Sequence, residues 1–319
     1  MNQQGKLALI AVGGNALITD PRHTRVEDQY RAVVETSRHI AAFINQGYRV
    51  VVTHGNGPQV GFILRRSELA REELHEVPLD SCGADSQGAI GYQLAMALDN
   101  EMRGWAEKPP VAAVITQTLV DKNDPSFQNP TKPIGSFMTK ELAMEHKEKD
   151  GWTVVEDAGR GWRRVVASPR PKKMFEFEAI KTLLDAGVVV VAAGGGGIPV
   201  IEREDGSITG AAAVIDKDLG SSLLAQNLKA DFLVISTAVE QVCLNFNKPD
   251  EKKLSRVTLS EAKKYMAEGH FAAGSMKPKV QAIIEYLENG GGSALITDPP
   301  HIVDAFAGRT GTWFVQDDA

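Results

Sequence analysis

Three times this chain runs through a short apolar stretch of strand character and stops on glycine. Leu7-Ala8-Leu9-Ile10-Ala11-Val12 ends at Gly13-Gly14-Asn15, and Val50-Val51-Val52-Thr53-His54 ends at Gly55-Asn56-Gly57-Pro58. Val188-Val189-Val190-Val191-Ala192-Ala193 ends at Gly194-Gly195-Gly196-Gly197. Uninterrupted apolar runs of this length describe strands buried on both faces, which occur in parallel sheets lying between helices. Glycine at such a strand end lets the chain turn tightly and lets a ligand come close to main-chain N–H groups. Three such ends in one α/β chain imply strand termini that face a highly charged, phosphate-like ligand. The same pattern would also arise from three ordinary tight turns, so glycine alone leaves both readings open.

The segments between the strands carry helical spacing. Glu27 to Gln46 places Tyr30, Val33, Ser37, Ile40 and Ile44 on one face, with Gly47 where a helix C-cap belongs. Helices are expected over Ser86–Met102, Lys173–Asp185 and Leu219–Lys229, over a segment capped by Ser260 and running through Glu268, and over a segment opened by Pro278 and ending at Glu288. Further strands are expected at Val111–Thr116, Phe232–Thr237, Ala294–Thr297 and Thr312–Val315. Alternation of this kind argues for a mainly parallel sheet covered by helices on both sides.

Residues 119–171 break the rhythm. The stretch from Asp121 to Pro171 holds five prolines and short polar segments, and its Trp152–Val155 and Arg163–Val166 read as a small hairpin pair. Its aromatics and β-branched residues argue against disorder, so it is read as an inserted, protruding subdomain or lid within one domain spanning 1–319.

With 319 residues, 43% of them apolar, the chain can bury a large core. A net charge of -6 disfavours a nucleic-acid partner. If the ligand is a polyphosphate, basic residues must gather locally against that balance. Two cysteines, Cys82 and Cys243, form neither a metal spacing nor a disulfide framework, which fits a reducing cytoplasm. No signal peptide is expected, and no apolar stretch reaches the roughly 18 residues of a membrane-spanning helix. The scattered histidines make zinc improbable, and His54 reads as structural.

Neither early glycine loop matches a P-loop or a dinucleotide fingerprint. Chemistry enters with Asp216-Lys217-Asp218 at a helix start. A lysine there can neutralise charge on a moving phosphoryl group, and a neighbouring carboxylate can hold the lysine or reach Mg²⁺. The same pattern also suits a plain first turn with acids favoured by the dipole. Gly274-Ser275-Met276-Lys277-Pro278-Lys279 puts two lysines on a first turn, against the dipole, where a bound anion would offset the cost. Lys132, in Asn129-Pro130-Thr131-Lys132-Pro133-Ile134-Gly135, would by itself pass for a solvated lysine.

Taken together, these blocks resemble the carbamate kinases of the amino acid kinase superfamily. Gly13–Leu17, Thr53–Gly61, Cys82–Tyr92, Asn129–Gly135, Glu156–Val166, Gly194–Val200, Val214–Leu219 and Gly274–Lys279 carry the likeness in family order across nearly the whole chain. The resemblance implies a three-layer αβα sandwich with a mainly parallel central sheet and a small protruding subdomain, the amino acid kinase fold, in a cytoplasmic homodimer. It implies reversible phosphoryl transfer between ATP/ADP and carbamate with Mg²⁺, usually in arginine metabolism. It assigns Gly13, Gly14, Asn15, Gly55, Asn56 and Gly57 to the substrate, Lys132 to a clamp on the substrate side, Lys217 to the phosphates with Asp218 organising it, and Lys279 and Lys277 to the nucleotide. Lys132, Lys217, Asp218 and Lys279 are the implied catalytic set. Val12 stands where many superfamily relatives have a lysine, an absence carbamate kinases share. Ala212 replaces a usual glutamate and Ala238 a usual aspartate. A paralogue phosphorylating another small carboxylate, or a catalytically silent nucleotide-binding protein, are the alternatives.

Overall fold

A computed structural model describes residues 5–14, 25–157, 159, 161–272 and 274–317. Along the chain come β1 (Leu7–Val12), α1 (Val26–Ile44), β2 (Arg49–His54), α2 (Gly57–Leu69), α3 (Leu79–Glu101), β3 (Val111–Ala113) and β4 (Gln117–Val120). Next are β5 (Lys132–Met138), α4 (Lys140–Lys149), β6 (Thr153–Glu156), β7 (Trp162–Val166), β8 (Pro171–Met174), α5 (Phe177–Asp185) and β9 (Val189–Val191). The chain continues through β10 (Ile198–Glu202), β11 (Ile208–Gly210), α6 (Lys217–Leu228), β12 (Phe232–Ser236), β13 (Val242–Leu244), β14 (Lys252–Leu254) and β15 (Arg256–Thr258). It closes with α7 (Leu259–Ala267), α8 (Met276–Glu288), β16 (Ser293–Thr297), α9 (Ile302–Phe306) and β17 (Thr312–Val315).

The main sheet has the order β15-β17-β16-β12-β1-β2-β9-β3, and its neighbours run parallel except β16 and β17. Every residue of β1 is buried. Leu7, Leu9 and Ala11 pack with residues of α5, α6 and α8, while Ala8, Ile10 and Val12 pack with α1, α3 and α9. Alternate side chains of one strand thus feed two cores, which is why the strand reads as an unbroken apolar run. The result is the expected αβα sandwich.

Three smaller sheets accompany it among the described residues, one of them the two-stranded β13-β14 pair. The order β11-β10-β4-β8 forms the second, and the antiparallel β5-β7-β6 forms the third, with α4 packed on β6 and β7. Thr153 faces Val165 and Glu156 faces Trp162, the hairpin pair expected from sequence. β5 rests against α2.

Several boundaries differ from the sequence reading. The helix expected from Lys173 begins at Phe177, because Pro171–Met174 pairs with β4, Lys173 facing Leu119. The strand expected over Val111–Thr116 ends at Ala113, and the chain then passes into β4 of another sheet, with the Thr116 N–H donating to Gln87 Oε1 at 2.8 Å. α3 starts at Leu79 instead of Ser86. α7 is capped by Thr258 and not by Ser260: Thr258 Oγ1 accepts from the Glu261 N–H at 3.3 Å and Glu261 Oε2 accepts from the Thr258 N–H at 2.8 Å. Among the described residues no helix is long and apolar enough to cross a membrane.

Candidate active site

β1, β2, β9 and β12 finish along one edge of the main sheet, Val12 standing opposite both His54 and Ser236. The first two glycine breaks meet there. The Gly13 N–H donates to Ser236 O at 3.0 Å, and the Gly55 N–H donates to Val12 O at 2.9 Å. Both amides therefore extend the ladder instead of facing a ligand. A Cβ on Gly13 would lie 2.8 Å from Ser236 O, so glycine is needed there for close strand approach. At Gly14 and Gly57 a Cβ would meet nothing within 4 Å, and the space beside these loops is open. Gly55 lies against Gly14 and Lys217: a Cβ on it would be 3.5 Å from Gly14 N and 3.7 Å from Lys217 Cδ. Asn56 is buried, its Nδ2 donating to Ser86 Oγ of α3 at 2.9 Å. Asn15 lies outside the described residues.

The third break has a different job. Gly195, Gly196 and Gly197 all hold positive φ, at 65°, 90° and 98°. A Cβ would strike the His54 ring from Gly194 (2.3 Å), the Asn56 side chain from Gly195 (2.3 Å), Ile215 from Gly196 (2.7 Å) and Thr118 Oγ1 from Gly197 (1.9 Å). The run is a junction where three separate segments, the His54–Asn56 loop, Thr118 and Ile215, touch backbone, and that contact requires all four glycines. His54 is locked into it, its Nδ1–H donating to Gly55 O at 2.9 Å. Burial pulls the His54 imidazole down to about 4, the Gly55 hydrogen bond only partly resisting and nearby Lys217 adding to the fall. It is a neutral structural residue.

The charged centre is built on the start of α6. Asp216 is the N-cap, its Oδ1 accepting from the N–H groups of Asp218 (2.9 Å) and Leu219 (3.4 Å). Its Oδ2 accepts from Lys132 Nζ of β5 at 2.8 Å. Lys217 Nζ stands 2.7 Å from Asp218 Oδ1, an ion pair without hydrogen-bond alignment, and 3.4 Å from Ala11 O. Lys279 of α8 donates to Asp218 Oδ2 at 3.1 Å. Burial pushes the Asp218 carboxyl up, but the ammonium groups of Lys217 and Lys279 outweigh it and hold the carboxyl well below the usual range. Burial lowers Lys217, with Asp218 opposing and Lys279 adding to the fall. Three cations from three elements thus converge on two carboxylates at a helix N-terminus, a centre with capacity for polyanionic oxygen. Lys277 does not join them: two residues from Lys279, it is turned away around the helix and exposed.

Beside Lys279 opens a cavity of about 560 Å³, lined among others by Ala238, Cys243, Asn245, Phe246 and His270. Sequence reasoning did not find this wall beyond Ala238. Its signal was Asn245-Phe246-Asn247, in which both asparagines take left-handed φ, 54° and 61°, presenting Phe246 outward. His270 Nδ1 and Asn245 Oδ1, 3.1 Å apart, brace the wall. Ala212 is exposed. Among the described residues no cluster of three or more metal-ligating side chains occurs.

The layered sheet is that of an amino acid kinase, and a profile of the amino acid kinase family matches residues 6–298. A carbamate kinase from Thermococcus kodakarensis is 48% identical over 315 residues, covering 98% of this chain and 100% of the relative. A carbamate kinase-like protein from Escherichia coli is 50% identical over 315 residues, covering 98% and 99%. The structure of a Giardia lamblia carbamate kinase bound to AMP-PNP superposes with a TM-score of 0.91 at 45% identity, covering 98% of this chain and 99% of that one. The chain belongs to the carbamate kinase branch of the amino acid kinase family.

Proposed function

We propose that the chain transfers a phosphoryl group reversibly between ATP and carbamate, working toward ATP from ADP and carbamoyl phosphate and releasing carbamate, which breaks down to ammonia and CO₂. The observation that carries this reading is the convergence of Lys132, Lys217 and Lys279 on Asp216 and Asp218 between open glycine loops and a nucleotide-sized cavity. In the ATP-forming direction an oxygen of the ADP β-phosphate attacks the phosphorus of carbamoyl phosphate. The bond from phosphorus to the carbamate oxygen breaks, and its electron pair leaves with carbamate. Nucleophile and leaving group are both oxyanions, so no general base is required, in keeping with a neutral, locked His54. The obstacle is repulsion between anions. Lys217 and Lys279 would neutralise the phosphates while Asp218 organises both, and Lys132 would hold the substrate from above. Gly14 and Gly57, with Gly13, Asn15, Gly55 and Asn56 shaping the loops, are the proposed substrate side.

Mg²⁺ would arrive with the nucleotide. Asp218 is clamped between two ammonium groups and is a poor ligand; Asp216, whose side chain is 19% exposed, would offer its Oδ2 to such a cation only by giving up the pair with Lys132. The cation would supply charge neutralisation on the phosphates. We read residues 119–171 as a lid on the substrate side. The open edge strand β3 and the exposed Tyr92 and Ile115 suit a homodimer interface. The two unpaired cysteines suit the cytoplasm.

Incubation with ADP, Mg²⁺ and carbamoyl phosphate should yield ATP, read by luciferase. No ATP above background would overturn the reading, and an acceptor panel in which another small acid far outpaces carbamate would shift it to the paralogue with Ala212 and Ala238.

A further inference from the structure

The unit that carries Lys132 is fastened to α2 at places where no reacting group is expected. At the first, backbone meets backbone: a Cβ on Gly61 of α2 would lie 2.5 Å from Gly135 Cα in β5, and Gly135 holds φ at 69°. At the second, toward the C-terminal end of α2, charges pair across the seam. Arg164 of β7 donates to the Glu68 carboxylate at 3.2 Å, and Arg65 stands 3.6 Å from the other oxygen of the same group. Just past α2, Arg71 donates to Asp150, the C-cap of α4, at 2.8 Å. The Glu68 side chain is only 6% exposed, and the Arg164 guanidinium lies 4.6 Å from the centre of the Trp152 ring. Between the fastenings the seam leaves a cavity of about 150 Å³, so packing alone does not fix the angle between the two bodies.

The ladder connects this seam to the charged centre. In the β5–β7 pairing Arg164 faces Ile134, and two residues along Val166 faces Lys132. Holding Arg164 therefore holds the height of Lys132 over Asp216. The other end of α2 begins at Gly57, in the second glycine loop, so one helix links the loop and the seam. We propose that Glu68 is a positioning residue: with Arg164 it forms an ionic clasp between α2 and the inserted unit that keeps Lys132 within reach of the transferred group. The consequence for catalysis rests on the phosphoryl-transfer reading above, while the clasp itself does not. Burial pushes the Glu68 carboxyl up, against the opposing pull of Arg164 and Arg65.

The test compares Glu68→Gln, Arg164→Gln and the double variant. Each single change should raise KM for carbamoyl phosphate at least about fivefold and leave ADP affinity within about twofold, and the double variant should be no worse than either. Amide hydrogen exchange in β5 should quicken in all three variants, with β1 unchanged. That readout needs no turnover, so it judges the clasp even if wild-type protein makes no ATP, a result that would sink the reaction and not the clasp. Unchanged exchange in β5, single effects that multiply in the double variant, or an equal loss of ADP affinity would overturn the proposal. If Glu68→Gln does not fold, Asp150→Asn opens the outer pair and should quicken β5 exchange in the same direction, and unchanged exchange there counts against the clasp.

Discussion

Lys217 is a nearly buried cation beside a second cation, and the Asp218 carboxylate between them makes the arrangement tenable. A polyphosphate entering this centre would give both ammonium groups a larger partner without moving either far. Lys217→Ala should lower kcat by at least about tenfold through lost stabilisation of charge in the transition state. Steady-state rates on a well-folded variant check it, and an unchanged kcat would remove Lys217 from the chemistry. At this scale the sequence was a good guide to charge and a poor one to direction. Lys132 reaches Asp216 while Lys217 and Lys279 reach Asp218, although the sequence by itself left each lysine open to a plain surface or first-turn reading. Lys277 sits in the same block but faces away, and only the helical phase set by the start of α8 decides which of two neighbouring lysines points inward. Gly13 and Gly55 were legible as glycines but not as ladder residues, since their amide partners come from other strands.

α6 carries the charged centre at its first turn, so its placement is set by how closely it can approach the glycine junction. A Cβ on Gly220 would lie 2.6 Å from Gly196 Cα and 2.9 Å from Gly196 O, both backbone atoms that cannot swing aside. Gly220→Ala should therefore destabilise the protein by about 1–3 kcal/mol, although the same change in an open helix would stabilise it by up to about 1 kcal/mol. Urea unfolding gives the sign, and kcat should fall with it because Lys217 and Asp218 move with the helix. β1, β2 and β12 stood out in the sequence as unbroken apolar runs buried on both faces, and α1 by the helical spacing of its one buried face. α2 did not. It opens on Gly57-Pro58 and buries Gln59, Val60, Gly61, Ser67 and Glu68, so its inward face holds polar residues that no hydrophobic pattern reveals. β4 and β8 were hidden for a related reason: they form a side sheet whose pairing crosses the insertion.

Across the whole molecule, acid should undo the fold through groups at this same edge. His54 binds no proton in the folded state until pH falls to about 4, whereas the unfolded chain takes one near its ordinary value of 6.5. The stabilisation is complete above about pH 6.5 and drains as pH falls toward 4, by roughly 3 kcal/mol in all. Asp218, held below the usual carboxylate range, adds a second loss at still lower pH. Urea midpoints measured from pH 7.5 to 4.5 should fall steadily, and His54→Gln should flatten that slope. Superimposable profiles would show that another group titrates.

The four-glycine junction also sets an order of events during folding. Thr118, Ile215 and the His54–Asn56 loop reach it from three separate parts of the chain. Because these contacts join residues far apart in sequence, the cleft should form late in folding. A half-folded molecule would carry no weakened form of the site. Nucleotide would then bind only finished copies, shielding them from proteases while leaving unfinished ones exposed.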